Sequence, residues 1–232
     1  GGTVQCWGYN GDGALGDGTI TDRKTATQVT GLTGATAVVA GSAHTCALLQ
    51  TGTAKCWGFN MFGQLGDGTT TSRDTPTQVT GLTGATSIAV GGYHTCALMS
   101  GGIAKCWGWN NVGQLGDDTI TDRHTPTQVP GLSGVTAIST GGTLTCALLL
   151  GGSANCWGHN HRGQLGDGTI TDRHTPTQVS GLTGGAAVSP GNSHTCALMQ
   201  GGTAKCWGYN GNGQLGDGTT TDRYTPTQVV GF

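Results

Sequence analysis

Cys56-Trp57-Gly58-Phe59-Asn60, followed by Gly63-Gln64-Leu65-Gly66-Asp67-Gly68-Thr69 and then Thr75-Pro76-Thr77-Gln78-Val79, returns almost letter for letter between Cys206 and Val229. Its opening Cys-Trp-Gly stands at Cys6, Cys56, Cys106, Cys156 and Cys206, one copy every fifty residues. A fixed period of this length marks an array of one supersecondary unit rather than an irregular domain. The 232 residues therefore read as a single array with units at 1–34 (partial), 35–84, 85–134, 135–184 and 185–232. The period also sets a standard for function. A residue present in every copy builds the repeat, whereas individual chemistry must come from residues that vary.

Charged residues make up 9% of the chain, against roughly a quarter in ordinary soluble domains, and Glu is absent. The 46 glycines imply many tight turns and left-handed positions, and few helices. A net charge of −2 without a basic cluster leaves no electrostatic footprint for nucleic acid or an anionic membrane. No apolar run approaches the roughly 18 residues of a membrane span. Gly1-Gly2-Thr3-Val4 matches the interior Gly201-Gly202-Thr203-Ala204, so the chain starts in mid-repeat. It is expected to be a processed or excised piece of a longer precursor.

Within the unit 35–84, the β-branched run Thr36–Ala40 ends at Gly41, and His44–Leu49 and Thr53–Trp57 read as two further strands. A polar, Gly-rich loop covers residues 58–74. Thr75-Pro76-Thr77-Gln78-Val79 reads as an edge strand, because Pro has no N–H to give a ladder. Four short strands per fifty residues predict an all-β fold, either a propeller of four-stranded blades or a solenoid.

Leu49 and Thr53 are separated by Gln50-Thr51-Gly52, and the triplets Ser100-Gly101-Gly102, Leu150-Gly151-Gly152 and Gln200-Gly201-Gly202 correspond. Gly in third place suits a three-residue hairpin loop that closes on a left-handed residue. Counting back from that loop sets Cys46 opposite Cys56 in a non-hydrogen-bonded pair, with Cα atoms about 4.5 Å apart. That spacing lies at the short end of the disulfide window. Four bridges are predicted: Cys46–Cys56, Cys96–Cys106, Cys146–Cys156 and Cys196–Cys206. The alternative is eight buried free thiols. The bridges imply an oxidising compartment, secreted or at the cell surface. Cys6 is left without a hairpin mate, which suggests an intermolecular bridge or a truncated boundary.

Gly91-Gly92-Tyr93-His94-Thr95-Cys96-Ala97-Leu98, then Gly102 to Asn110, Gly113 to Thr119 and Thr125 to Val129, together resemble the regulator of chromosome condensation repeat, also described as alpha-tubulin suppressor-like. The resemblance runs over the whole chain, with Asp118 standing where the motif has Gly. Its cysteines are similar to those of a bacterial extracellular branch. The resemblance implies a β-propeller, usually of seven blades, serving as a protein-binding platform. The founder's nucleotide exchange and chromatin binding are not carried over, because the cysteine pattern is extracellular and no basic tail is present.

Five Cys-Trp-Gly copies against four copies of the preceding strand pair amount to eighteen strands, where five full blades need twenty. The array is thus expected to be part of a larger ring, an open five-blade ring, or a ring completed by a neighbouring chain. An unpaired ladder edge is an acceptor for another chain. Head-to-tail completion that does not close would give a fibre.

Trp7, Trp57, Trp107, Trp157 and Trp207 are expected to pack between blades. His44, His94 and His194 are read as structural hydrogen-bonding residues, with Leu144 in their place in one unit. Asp17, Asp67, Asp117, Asp167 and Asp217 are read as acceptors of backbone N–H groups in turns. Asp22-Arg23 and its counterparts are expected to form loop hydrogen bonds and weak ion pairs. The variable positions are the candidate binding face: Tyr9, Phe59, Met61, Phe62, Trp109, Val112, His159, His161, Arg162 and Tyr209. In an array, variation from copy to copy collects on one surface, often the one that binds. The alternative is drift in a solvated loop. Thr69-Thr70-Thr71 and Thr219-Thr220-Thr221 are candidate sites for O-linked sugar.

No nucleophile–base pair or phosphate loop stands out, so no enzyme, cofactor or metal is expected. The first reading is a protein- or glycan-binding module, secreted or on the cell surface. The second is an extracellular fibre subunit, assembling with other copies of itself. A metalloenzyme built on His159, His161 and His174 ranks behind both.

Overall fold

The computed structural model describes residues 2–231 and is all-β. It has eighteen strands. A two-stranded sheet pairs β1 (Gln5–Gly8) with β2 (Arg23–Gln28). Four antiparallel meanders follow. The first is β3 (Ala35–Ala40), β4 (His44–Leu49), β5 (Ala54–Gly58) and β6 (Arg73–Gln78). The next is β7 (Ala85–Val90), β8 (His94–Met99), β9 (Ile103–Gly108) and β10 (Arg123–Gln128). The third is β11 (Val135–Thr140), β12 (Leu144–Leu149), β13 (Ala154–Gly158) and β14 (Arg173–Gln178). The last is β15 (Gly185–Pro190), β16 (His194–Met199), β17 (Ala204–Gly208) and β18 (Arg223–Gln228).

Neighbouring sheets meet through their first strands, β3 on β7, β7 on β11 and β11 on β15. This is the geometry of propeller blades around an axis. Gly41, Gly91, Gly141 and Gly191, which follow those strands, line one small axial cleft. Among the described residues the sheets do not close into a ring.

Hairpin chemistry sets the register inside each blade. The Leu49 N–H donates to the Thr53 carbonyl at 2.9 Å, and Gly52 closes the loop at φ +72°. Cys46 then faces Cys56, with Cα atoms 4.1 Å apart. The disulfides Cys46–Cys56, Cys96–Cys106, Cys146–Cys156 and Cys196–Cys206 follow. Cys6 is a free, half-buried thiol, and burial pushes its pKa up. Pro76 lies in the outermost strand, where the β5–β6 register slips between Cys56 and Gly58.

The blades are joined by one recurring device. The Trp107 indole N–H donates to the Gln64 carbonyl of the preceding blade at 3.0 Å, and the Thr95 hydroxyl donates to the same oxygen at 2.8 Å. Trp157 with Thr145 on Gln114, and Trp207 with Thr195 on Gln164, repeat it. Trp57 with Thr45 on Ala14 is the fourth instance. The indole approaches the turn so closely that a Cβ on Gly66 would lie 2.6 Å from the Trp107 nitrogen, and Gly66 also sits at φ +71°. Only glycine fits there.

These four indoles are fully buried, whereas Trp7 is 63% exposed. Trp7 therefore departs from the expected packing role, because no turn of a preceding blade lies among the described residues to receive it. Trp107→Ala is expected to cost about 3–5 kcal/mol. Trp7→Ala should change stability by no more than about 0.5 kcal/mol. Urea denaturation of the two variants measures the contrast.

Thr95 gives its proton to Gln64, so its oxygen can only accept from His44 Nε2, which lies 2.8 Å away. The same logic fixes His94 as the donor to Thr145 at 2.9 Å. Nε2 of both imidazoles thus carries a proton, burial keeps the rings neutral, and their buried Nδ1 atoms have no partner. No corresponding bond to the His194 ring is present among the described residues.

The ion pairs differ from the expected adjacent Asp-Arg arrangement. Arg23 pairs with Asp17 at 2.6 Å, and Arg73, Arg123, Arg173 and Arg223 pair with Asp67, Asp117, Asp167 and Asp217. Asp22 is turned the other way and accepts the Asn10 N–H at 2.8 Å. Asp67 also takes the backbone N–H and the hydroxyl of Thr69. Burial opposes ionisation of Asp67, but these bonds and the Arg73 guanidinium outweigh it and hold the carboxyl below its usual range.

Candidate binding face

The β5–β6 connection and the short β3–β4 turn emerge at the same end of a blade, because His44 pairs with Gly58. All the variable residues lie in such long connections, so the fold gathers them at one end of the array. Each connection has the same frame. Asn60 Oδ1 accepts the Leu65 N–H, and its amide group donates to the carbonyls of Thr69 and Thr71. The frame is rigid, and what varies is mounted on it.

Four rings form a continuous ridge across the boundary between the β3–β6 and β7–β10 blades. Phe62 stands at its centre, 6.1 Å from Phe59, 5.6 Å from Tyr93 and 5.6 Å from Trp109, measured between centroids. Tyr93 completes it, 5.7 Å from Phe59 and 6.0 Å from Trp109. Such edge and tilted pairs are favourable aromatic geometries. All four rings are half-buried, and the adjacent Met61 is 65% exposed. The backbone N–H groups of Phe62 and Val112 donate to the side-chain oxygens of Gln64 and Gln114, which fixes this second variable position.

Tyr93 escaped the sequence reading. It belongs to the β7–β8 turn, at a position where the other blades carry Ala43, Thr143 and Ser193. Its carbonyl accepts the Trp109 N–H at 2.9 Å, which seats the two rings side by side. That one aromatic among small residues was the available signal.

The remaining boundaries carry other chemistry. The Arg162 guanidinium lies 5.1 Å above the Tyr209 ring and 3.6 Å from the Asp222 carboxylate of the next blade. His159 and His161 stack edge to face at 4.7 Å, beside Asp172. Burial pushes the His159 pKa down, reinforced by His161 and opposed by the Asp172 charge. His174, the third member of the histidine trio read from the sequence, instead packs against Gly113 of the preceding blade. Tyr9 and Tyr209 fold back over Gly11 and Gly211, where a Cβ would collide with their hydroxyls. The Tyr-x-Gly pairing in those two loops is therefore steric in origin.

The RCC1-like domain profile matches residues 1–232, the entire repeat array. The chain belongs to the RCC1-like domain family. No curated protein matches it. Among solved structures, human WBSCR16 is 26% identical with a TM-score of 0.82, covering 95% of this chain and 60% of its own. Yeast RCC1 (Prp20) bound to Kap60 is 22% identical at the same TM-score, covering 93% of this chain and 53% of its own. Prp20p of Saccharomyces cerevisiae, a structure described with binding to Gsp1p and histones, is 22% identical with a TM-score of 0.82. It covers 98% of this chain and 57% of its own. The chain thus spans between half and two thirds of the length of these RCC1-like structures. At 22% identity the Prp20 likeness shows the fold alone.

Proposed function

We propose that this RCC1-like chain is a non-enzymatic binding module of a secreted or cell-surface protein, and that a protein ligand docks on the Phe59–Phe62–Tyr93–Trp109 ridge. The observation that carries the reading is the ridge itself, an aromatic surface bridging two blades on a frame that needs none of its four rings. Half-exposed aromatics on a rigid support supply contact area at low entropic cost. Four disulfides suit an oxidising compartment. Among the described residues no helix is long and apolar enough to cross a membrane. Protein binding is also what the Prp20 structures describe for that protein.

Selection of a displayed peptide library on the immobilised chain, with a glycan array in parallel, tests the proposal. Selected peptides should lose at least about thirtyfold in affinity against Trp109→Ala or Phe62→Ala, the range of an interface hot spot. Binding that survives both changes places the ligand elsewhere. Enrichment of glycans alone makes the ligand a sugar.

A further inference from the structure

The connection between β13 and β14 differs from its four counterparts in bringing two imidazoles beside a carboxylate. At the positions of His159 and His161 the other loops carry Tyr9 and Gly11, Phe59 and Met61, Trp109 and Asn111, or Tyr209 and Gly211. One donor atom from each of His159, His161 and Asp172 falls within 4.8 Å of the others, and His161 Nε2 lies 3.7 Å from Asp172 Oδ2. Asp172 keeps the structural duty of its position through its other oxygen, since Oδ1 accepts the Asn160 N–H at 2.7 Å. That bond fixes the carboxylate and leaves Oδ2 for a further partner. Gln164 donates an amide N–H to His159 Nδ1 at 2.9 Å while its oxygen accepts the Arg162 N–H, so an ion must displace that donor to take Nδ1 as its ligand.

We infer that His159, His161 and Asp172 bind one divalent transition-metal ion, of which Zn2+ is the representative. Two imidazoles and one carboxylate suit the borderline ions Zn2+, Cu2+, Ni2+ and Co2+, whereas Ca2+ and Mg2+ call for oxygen ligands throughout. Tetrahedral zinc with bonds of about 2.1 Å holds its donors about 3.4 Å apart. The side chains must therefore draw together by roughly an ångström. His161 can make most of that movement, because its side chain is 70% exposed and rotates freely. Solvent completes the coordination. The buried Asn160 N–H behind Asp172 is the kind of outer support that orients a metal-bound carboxylate. The ion ties residue 159 to residue 172, the two ends of one long connection. It thereby stiffens the loop that carries Arg162 toward Tyr209 and Asp222.

The repeat supplies substitutions that its own frame already accepts. His161→Met copies Met61 and Asp172→Ser copies Ser72, whose hydroxyl accepts the Asn60 N–H just as Asp172 accepts that of Asn160. The experiment titrates ZnCl2 into the tag-free, oxidised chain carrying Cys6→Ser, which removes the free thiol as a competing ligand. Calorimetry should read one Zn2+ per chain. His161→Met and Asp172→Ser should each weaken uptake at least about tenfold, the loss seen even for outer-shell partners. Saturating zinc should raise the melting temperature of the parent and leave both variants unchanged. No uptake by the parent, or uptake unaltered in either variant, overturns the assignment.

Discussion

Reducing the four disulfides should unfold the chain at 25 °C, and the bridges should open in a defined order. Each bridge joins residues ten apart in sequence and contributes about 2.7 kcal/mol on the chain-entropy model. Four together reach about 11 kcal/mol, within the whole stability range of a folded domain. The blades have little else to hold them, since the cores contain few large side chains beyond one buried Trp and a handful of Leu, Val and Ile.

The order follows from burial. Cys46, Cys56, Cys96, Cys106, Cys146 and Cys156 are fully buried, and a thiolate reaches them only after a blade opens. Cys196 is partly exposed and lines a shallow apolar cleft with Ala187, Ser189 and Leu198, on a face that no further blade covers among the described residues. Timed reduction with alkylation and mass spectrometry should label Cys196 and Cys206 first. Cys96→Ser/Cys106→Ser should lower the unfolding free energy by about 3 kcal/mol. Simultaneous labelling of all eight cysteines, or a fully reduced chain that stays folded, contradicts the account.

Mild acid should destabilise the protein through two buried histidines. Burial, together with repulsion from His94, pushes the His44 pKa down to about 3, and burial pushes that of His94 down to about 4. The unfolded chain protonates both imidazoles near pH 6.5, while the folded chain refuses the proton until those lower values. Stability is therefore full above pH 6.5 and falls as pH drops through the window from 6.5 toward 4. Each histidine costs up to about 1.4 kcal/mol per pH unit once the pH is well below 6.5, so the pair removes about 3 kcal/mol between pH 6.5 and 5. The turn carboxylates act in the same direction only at lower pH, as they are protonated in the unfolded chain near pH 4. Urea melts at pH 7 and pH 5 measure the slope. His44→Leu/His94→Leu should flatten it, and Leu144 shows that a fully buried leucine fits this position. An unchanged slope in the double variant would locate the acid sensitivity elsewhere.

The blade was legible in the sequence because each of its features has a local cause. Gly52 announced the hairpin, the hairpin set Cys46 against Cys56, and Pro76 marked the outer strand. The junctions were harder to read. Trp107 could be assigned to packing, but that its N–H shares the Gln64 carbonyl with Thr95, 31 residues beyond that glutamine, depends on how two blades lean together. The same holds for Arg23, whose partner is Asp17 across the loop rather than its neighbour Asp22. On the candidate binding face, the residues that vary were visible and their groupings were not. Tyr93 joined the ridge, and Asp172 displaced His174 beside the two histidines, because loop ends distant in sequence emerge at one end of the sheet.

The shared carbonyl has a consequence for descent. Each unit carries at Gln64, Gln114 or Gln164 the acceptor for its successor, and in its Trp and Thr the donors for its predecessor. Removing residues 65–114 would set Trp157 against the Gln64 turn and leave that junction chemically as it was. Arrays of this kind lengthen or shorten by whole units without a compensating change anywhere else. The variable residues lie outside that shared carbonyl, so gain or loss of a unit keeps the joint while re-pairing surfaces such as Phe62 with Tyr93 and Arg162 with Asp222, which span two units.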